Sequence, residues 1–360
     1  MNLRLKIVLP LLAFGILSSA CTGDSASVAS SWPGLSADSE TVYLAFGPHV
    51  YALQTANGRQ VWKYPAEPER NVAFYSAPVL SPDGSQLITG GYNNVLYSLN
   101  PDSGQPNGWA FQEAASRYIG TPLITADGIF APSADGRLYA LDASGSPLWP
   151  EPFEAGAPQW SQPASSGETI FTGSLDHNLY ALNTATGQLR WSVDLGGAVV
   201  GTPLLVDGVV YAGSFARQLF ALDAETGDEL WRFTANDWIW GGPAGEGNLI
   251  LVADIQGHLF ALDRESGEEI WRFEAEGGIY GSPLIANGLI FIGTDLGKVY
   301  AIDMQGRTEW VETLTTGQIY SQPVLAGELV LFALVGGDNL VVAYDLDGSQ
   351  AWSFNPAAQD

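Results

Sequence analysis

A proline recurs eight times at nearly constant intervals: Pro33, Pro78, Pro122, Pro163, Pro203, Pro243, Pro283 and Pro323, spaced 45, 44, 41, 40, 40, 40 and 40 residues. Two residues before each stands a small residue, Ser31, Ser76, Gly120, Ser161, Gly201, Gly241, Gly281 or Ser321. Each unit also carries one tryptophan further on: Trp62, Trp109, Trp149, Trp191, Trp231, Trp271, Trp310 and Trp352. Three markers repeating together restrict the chain to an array of one small structural unit.

The unit from Gly201 to Phe233 predicts four strands. Thr202 to Val206 is an apolar run that ends in the hairpin signal Asp207-Gly208. Val209 to Ala212 is β-branched and aromatic, and a turn over Phe215 to Gln218 leads into Leu219 to Asp223. Thr226-Gly227 turns the chain again, and Glu229 to Phe233 completes the set. Four antiparallel strands in about 40 residues make a propeller blade, and a blade buries both sheet faces only between neighbours, so the array closes into a ring. The fold expected is all-β, an eight-bladed β-propeller over residues 31–354 with a short tail at 355–360. Small residues belong where the innermost strands converge on a central channel, and proline is tolerated on that inner edge. Tryptophan belongs on the outermost strand, where blades splay and bulk is needed. The phase of ring closure stays open, because a terminal strand completing the opposite blade would give the same markers.

Composition narrows the function classes. The chain has 360 residues, 14 Lys+Arg against 39 Asp+Glu, and a formal charge of −25. Such a surface repels phosphate backbones, so no nucleic-acid partner is expected. A single cysteine makes neither an internal disulfide nor a thiolate metal cage.

That cysteine follows a distinctive leader. Arg4 and Lys6 precede an apolar run from Ile7 to Leu17, too short for a stable bilayer span, and Ser18-Ser19-Ala20 then leads to Cys21. The pattern resembles a bacterial lipoprotein signal over residues 1–20, with Cys21 as the lipidation site and 21–30 as a flexible tether. The alternative is an ordinary secretory signal cut nearby. Without residues 1–20 the chain carries a charge of about −27, and Lys63 and Lys298 are its remaining lysines. No polybasic patch is left for a membrane surface, so membrane contact is expected through the lipid alone.

The stretch Ala221-Leu222-Asp223-Ala224-Glu225-Thr226-Gly227-Asp228-Glu229-Leu230-Trp231 recurs nearly verbatim at Ala181 to Trp191 and Ala261 to Trp271, and at Ala52 to Trp62 with Gln54 in the Asp place. It resembles the PQQ-like (pyrroloquinoline quinone) β-propeller repeat, A-x-D-x-x-T-G-x-x-x-W. Units three, seven and eight are one residue shorter in the turn, and unit two inserts Pro106-Asn107-Gly108 before Trp109. The family contains quinoprotein dehydrogenases, which bind PQQ beside calcium on the propeller axis, and non-catalytic scaffolds such as the BamB-like lipoproteins. A chain of this length without large insertions resembles the second branch. The resemblance implies a lipid-anchored scaffold outside the cytoplasm, on the periplasmic side where there are two membranes. Envelope proteins or extended peptides are its implied partners, the chain being a monomer within a complex. A role in outer-membrane protein assembly follows if the source has an outer membrane.

The competing readings are a PQQ-dependent dehydrogenase and a peptide- or sugar-binding sensor. By resemblance the dehydrogenase needs a carboxylate base, calcium ligands and usually a vicinal disulfide, which one cysteine cannot supply. PQQ with calcium is therefore not expected, and neither are catalytic or metal-binding residues. His49, His177 and His258 fall between second and third strands of blades one, four and six, too spread to share a metal and read as solvated turn residues.

Three residues before the repeat proline stand Tyr75, Ile119, Trp160, Val200, Trp240, Tyr280 and Tyr320, with Tyr118 and Trp238 close by. The five aromatic members, Tyr75, Trp160, Trp240, Tyr280 and Tyr320, begin the innermost strands and so lie near one channel mouth. They form either an aromatic collar that binds an extended peptide, a sugar or a small aromatic ligand, or packing between adjacent inner strands.

Overall fold

The computed structural model describes residues 32–358. They form eight four-stranded antiparallel sheets, each built from four consecutive strands, so no strand crosses into another blade. The first blade runs through Gly34–Ala37, Thr41–Phe46, His49–Gln54 and Gln60–Tyr64, the last through Val324–Ala326, Leu329–Ala333, Val341–Asp345 and Gln350–Phe354. This settles the phase of ring closure: blades are contiguous, and the seam between the last and the first is closed by side chains.

Second and third strands carry the core. Val210, Leu219, Ala221 and Leu222 of blade 5 are fully buried, as are Ile250, Leu259, Ala261 and Leu262 of blade 6. Each core cluster spans two blades: Tyr211, Leu219 and Ala221 pack with Ile250, Val252, Phe260 and Leu262. The seam is made the same way, with Leu35, Val42, Leu44 and Leu53 against Leu331, Val341 and Ala343. Apolar surface facing a neighbour on both sides is what makes an isolated blade unstable and a closed ring stable.

Each repeat tryptophan is a fastener as well as a wedge. Its indole N–H donates to a backbone carbonyl oxygen of the next blade at 2.8–3.2 Å, from Trp62 to Pro101, Trp109 to Ala143, Trp149 to Thr184, Trp191 to Ala224, Trp231 to Arg264, Trp271 to Met304, Trp310 to Leu346 and Trp352 to Thr55. The motif glycine of the accepting turn lies under the same ring. At Gly227 φ is +78°, and a Cβ would stand 2.8 Å from Trp191 Cδ2. Glycine is required there twice over, for left-handed backbone and for the room its missing side chain leaves. The motif Asp closes that turn: Asp223 Oδ1 accepts from the Glu225 and Thr226 amides at 3.0 and 2.8 Å and from Thr226 Oγ1 at 3.1 Å. These donors, the Thr226 amide first, hold the Asp223 carboxyl below the usual carboxylate range.

Two details differ from the sequence reading. The repeat prolines stand just ahead of the inner strands, which begin at Gly34, Val79, Leu123, Ala164, Leu204, Ala244, Leu284 and Val324. Blade 3 also departs from the pattern. Its outer strand is only Phe153–Glu154 and lies beyond Trp149, because Pro147, Pro150 and Pro152 cannot donate to the ladder.

Candidate functional site

The small-residue rule has a direct cause at the axis. A Cβ at Gly201 would stand 2.6 Å from the Gly241 carbonyl carbon, and one at Gly241 would stand 2.7 Å from that of Gly281. At two positions where serine replaces glycine the hydroxyl bridges to the next blade, Ser76 Oγ to the Gly120 oxygen at 3.1 Å and Ser161 Oγ to the Gly201 oxygen at 2.9 Å, whereas Ser321 makes no such bond. Inner segments of adjacent blades thus meet backbone to backbone.

This packing leaves a cavity of ≈ 210 Å³ on the axis, to which all eight blades contribute. All five aromatic residues singled out from the sequence line it: Tyr75, Trp160, Trp240, Tyr280 and Tyr320. They do not form an even ring. Trp240 packs on Tyr280 at 5.8 Å between ring centroids, and Tyr280 on Tyr320 at 5.1 Å, giving a continuous arc over blades 6 to 8. Tyr75 stands apart against Tyr92 at 4.8 Å and Phe46 at 6.1 Å. Ile119 and Val200 interrupt the remaining circumference. Tyr118 is not part of the collar: it is fully buried in the blade 2–3 core, and burial pushes its phenol far up.

One collar member was missed. Trp32, just before Pro33, stacks on Tyr320 at 5.0 Å with 9° between planes, and meets Trp240 at 5.0 Å and Tyr280 at 5.8 Å. The first unit has Ser30 at the aromatic position, and that vacancy in the repeat was the available signal. Trp32 fills it from two residues further along.

The chemistry of the cavity wall is aromatic and neutral polar. Gln162, Gln322, Thr121, Thr202, Ser282 and Ser321 supply its polar side chains, and no Asp, Glu, His, Lys or Arg is among the lining residues. Two lining residues hold a buried polar atom without a hydrogen-bond partner, Trp160 Nε1 and Ser321 Oγ. Burial raises the Tyr280 phenol, and Asp295, Tyr320 and Asp237 add to the effect.

The histidines correct the reading of all three as solvated turn residues. His49 is 6% exposed, its Nδ1 is 2.8 Å from the Pro65 oxygen, and burial lowers its pKa. His258 begins a third strand and sets Nδ1 3.0 Å from Oδ1 of the buried Asp254. His177 alone is an exposed turn residue, with φ +78°. Among the described residues no helix is long and apolar enough to cross a membrane. Cys21 and the rest of residues 1–31 lie outside the described residues.

Comparison with known proteins gives the context for this geometry. BamB from Moraxella catarrhalis superposes with a TM-score of 0.72 at 20% identity, over 86% of this chain and 92% of that one. The computationally designed Ika8 protein superposes with a TM-score of 0.74 at 13% identity, over 88% and 96%. These two likenesses concern the fold alone. Among curated sequences, the serine/threonine-protein kinase AfsK of Streptomyces griseus is 30% identical over 192 residues, 47% of this chain. The quinoprotein alcohol dehydrogenase PedH of Pseudomonas putida is 30% identical over 118 residues, 28% of this chain. The chain spans about a fifth of the length of either curated relative. A family model described as outer membrane protein assembly factor BamB matches residues 22–149, 134–239, 218–317 and 287–360, and the chain therefore belongs to that family of PQQ-like β-propellers.

Proposed function

We propose that this protein is a non-catalytic propeller scaffold that holds protein partners in the cell envelope, anchored through a lipid on Cys21. In a cell with two membranes its role is in outer-membrane protein assembly. The observation that carries this reading is the match to the assembly-factor family along essentially the whole ring. A closed ring of short loops fits a rigid body that presents surfaces. In-cell cross-linking followed by capture tests it: recovery of outer-membrane assembly components supports the role, and recovery of none overturns it. Labelling with a fatty-acid analogue tests the anchor, which falls if wild type takes no label or Cys21→Ser keeps it.

The dehydrogenase alternative requires the axial cavity to accept PQQ and calcium. The residues present do not fit. Calcium takes carboxylate and carbonyl oxygens, and no carboxylate lines the cavity. No lining side chain can serve as a carboxylate base, and no Lys or Arg faces the acidic groups of the quinone. Three aromatic residues of the arc are moreover already in ring contact with Trp32. Adding PQQ with Ca²⁺ is expected to give no quinone absorption on the purified protein and no dye-linked alcohol oxidation; either signal reverses this reading.

A second reading is supported by the unpartnered Trp160 Nε1 and Ser321 Oγ: the collar takes an aromatic group that carries a hydrogen-bond acceptor, the partner that the Trp160 N–H lacks. Thermal-shift screening with peptides and sugars tests it, and the reading falls if none shifts the melting temperature.

A further inference from the structure

The face that carries the collar has a second aromatic feature, which the repeat does not require. Aligned on the repeat proline, the position of Trp238 is Ala73, Arg117, Pro158, Ala198, Gly278 and Gln318 in other units. A large ring is therefore not needed there for the fold. Trp238 is nevertheless held in one orientation. It lies flat on Phe215 at 5.0 Å with 9° between planes, and Phe215 is backed by Trp240 at 4.9 Å. Its amide donates to Asp237 Oδ1 at 2.8 Å, and its carbonyl oxygen accepts from the Ile255 amide at 3.1 Å. Despite this support Trp238 is 45% exposed.

A second departure lies one blade further round. Leu296 is 63% exposed, where matching turns carry Asp176, Ala216 and Gln256. A Cβ at Gly277 would meet both Asp295 and Leu296, so the blade 7 turn packs on the connector that leads to Tyr280. Asp237 and Asp295 both lie within electrostatic reach of the Tyr280 phenol and raise it. Neither has a cationic partner among the described residues: Asp237 accepts from Gln256 Nε2 at 2.9 Å, and Asp295 from the Gly278 amide at 2.7 Å. The cations of these loops are Arg217 and Lys298, and Lys298 is held by Glu276 at 3.0 Å.

We propose that Trp238 and Leu296, with their adjoining carboxylates Asp237 and Asp295, form the docking surface for a protein segment in which basic and apolar side chains alternate. This rests on the scaffold reading and names the partner chemistry. A pre-held aromatic ring contributes contact area without ordering cost on binding. The carboxylates select a cation, which the ring face also attracts. The occupant is a foreign segment rather than this chain's own residues 22–31, which carry one acid, no base and Val28 as their largest apolar residue.

The probes are a short peptide of alternating Lys and Leu and its Glu/Leu counterpart, titrated onto the full-length protein by calorimetry. The Lys/Leu peptide is expected to bind and the Glu/Leu peptide not to. Trp238→Ala should weaken binding by at least about tenfold. Asp237→Asn with Asp295→Asn should weaken it and flatten its salt dependence. Because Trp238 is partly exposed, an unchanged melt is the control for folding. The proposal is overturned if the Lys/Leu peptide does not bind, or binds all variants equally, as general attraction to an acidic protein would produce. Cross-linked capture with Trp238→Ala separates the two levels: partners recovered as well as by wild type remove this surface and leave the scaffold standing, whereas no partner recovered by wild type removes the scaffold reading itself.

Discussion

Trp352, in the last blade, donates its indole N–H to the carbonyl oxygen of Thr55 in the first at 2.8 Å, across 297 residues of chain. The seven other repeat tryptophans join consecutive blades, so this one bond of the set converts an array into a ring. Trp352 is 8% exposed, within a cluster that contains Leu53 and Phe354. Trp352→Ala is expected to cost about 3–5 kcal/mol, the range for deleting a buried large aromatic side chain. Trp352→Phe keeps most of the packing and loses the N–H donor, at about 1 kcal/mol. Denaturant melts of the two variants check this, and equal losses would mean that the ring of Trp352 contributes little to the seam.

The glycine beneath it supplies a sharper comparison. Gly58 has φ +68°, and a Cβ there would press into the six-membered ring of Trp352. Gly84 has φ +70° with nothing within 4 Å of its Cβ position. Both alanine variants bear the left-handed backbone cost of roughly 1–2 kcal/mol. Gly58→Ala alone should add an overpacking cost of about 1–3 kcal/mol. Chemical melts should rank Gly58→Ala well below Gly84→Ala; indistinguishable values would show that the glycine serves the turn and not the tryptophan.

The same pair shows what was legible beforehand. Blade number, strand content and the outer position of tryptophan follow from spacing, because the same packing problem is solved eight times and leaves eight copies of its solution. That Gly58 exists for Trp352 was not legible, since in sequence it belongs to a turn and its contact lies 294 residues away. The collar was found from Tyr75, Trp160, Trp240, Tyr280 and Tyr320 because they share one register. Trp32 was overlooked because it reaches the same cavity from another. His49 was misjudged for a related reason. Its place at the edge of a turn suggests exposure, whereas its ring packs on Tyr51 at 5.5 Å and hydrogen-bonds the Pro65 oxygen.

That burial makes His49 a source of pH dependence. Its folded pKa is lowered from 6.5, chiefly by desolvation. Below the unfolded value the unfolded chain binds a proton that the folded chain resists, so this contribution to stability is fully present above about pH 6.5 and is lost as pH falls through the lower folded pKa. Protonation of the many carboxylates also changes stability in acid, so the informative quantity is a difference. The stability of wild type minus that of His49→Gln should be level above about pH 7 and decline below about pH 6.5. A difference that stays level down to pH 5 would show that His49 charges freely in the folded ring.

Trp32 offers the most direct access to the axial cavity. Its contacts with Trp240, Tyr280 and Tyr320 are ring contacts, worth roughly 0.5–1.5 kcal/mol each beyond area burial. Because contacts sharing one half-buried ring do not add in full, Trp32→Ala should destabilise by about 1–3 kcal/mol, less than Trp352→Ala. The deletion leaves an indole-shaped space against Tyr320, and apolar cavities made in this way accept matching small molecules. Free indole should raise the melting temperature of Trp32→Ala and leave that of wild type nearly unchanged. Trp240→Ala in the same background should abolish the rescue by removing the facing ring. If indole stabilises wild type and Trp32→Ala alike, Trp32 does not fill the collar; if it stabilises neither, the arc from Trp240 to Tyr320 closes up by itself and does not hold an aromatic guest.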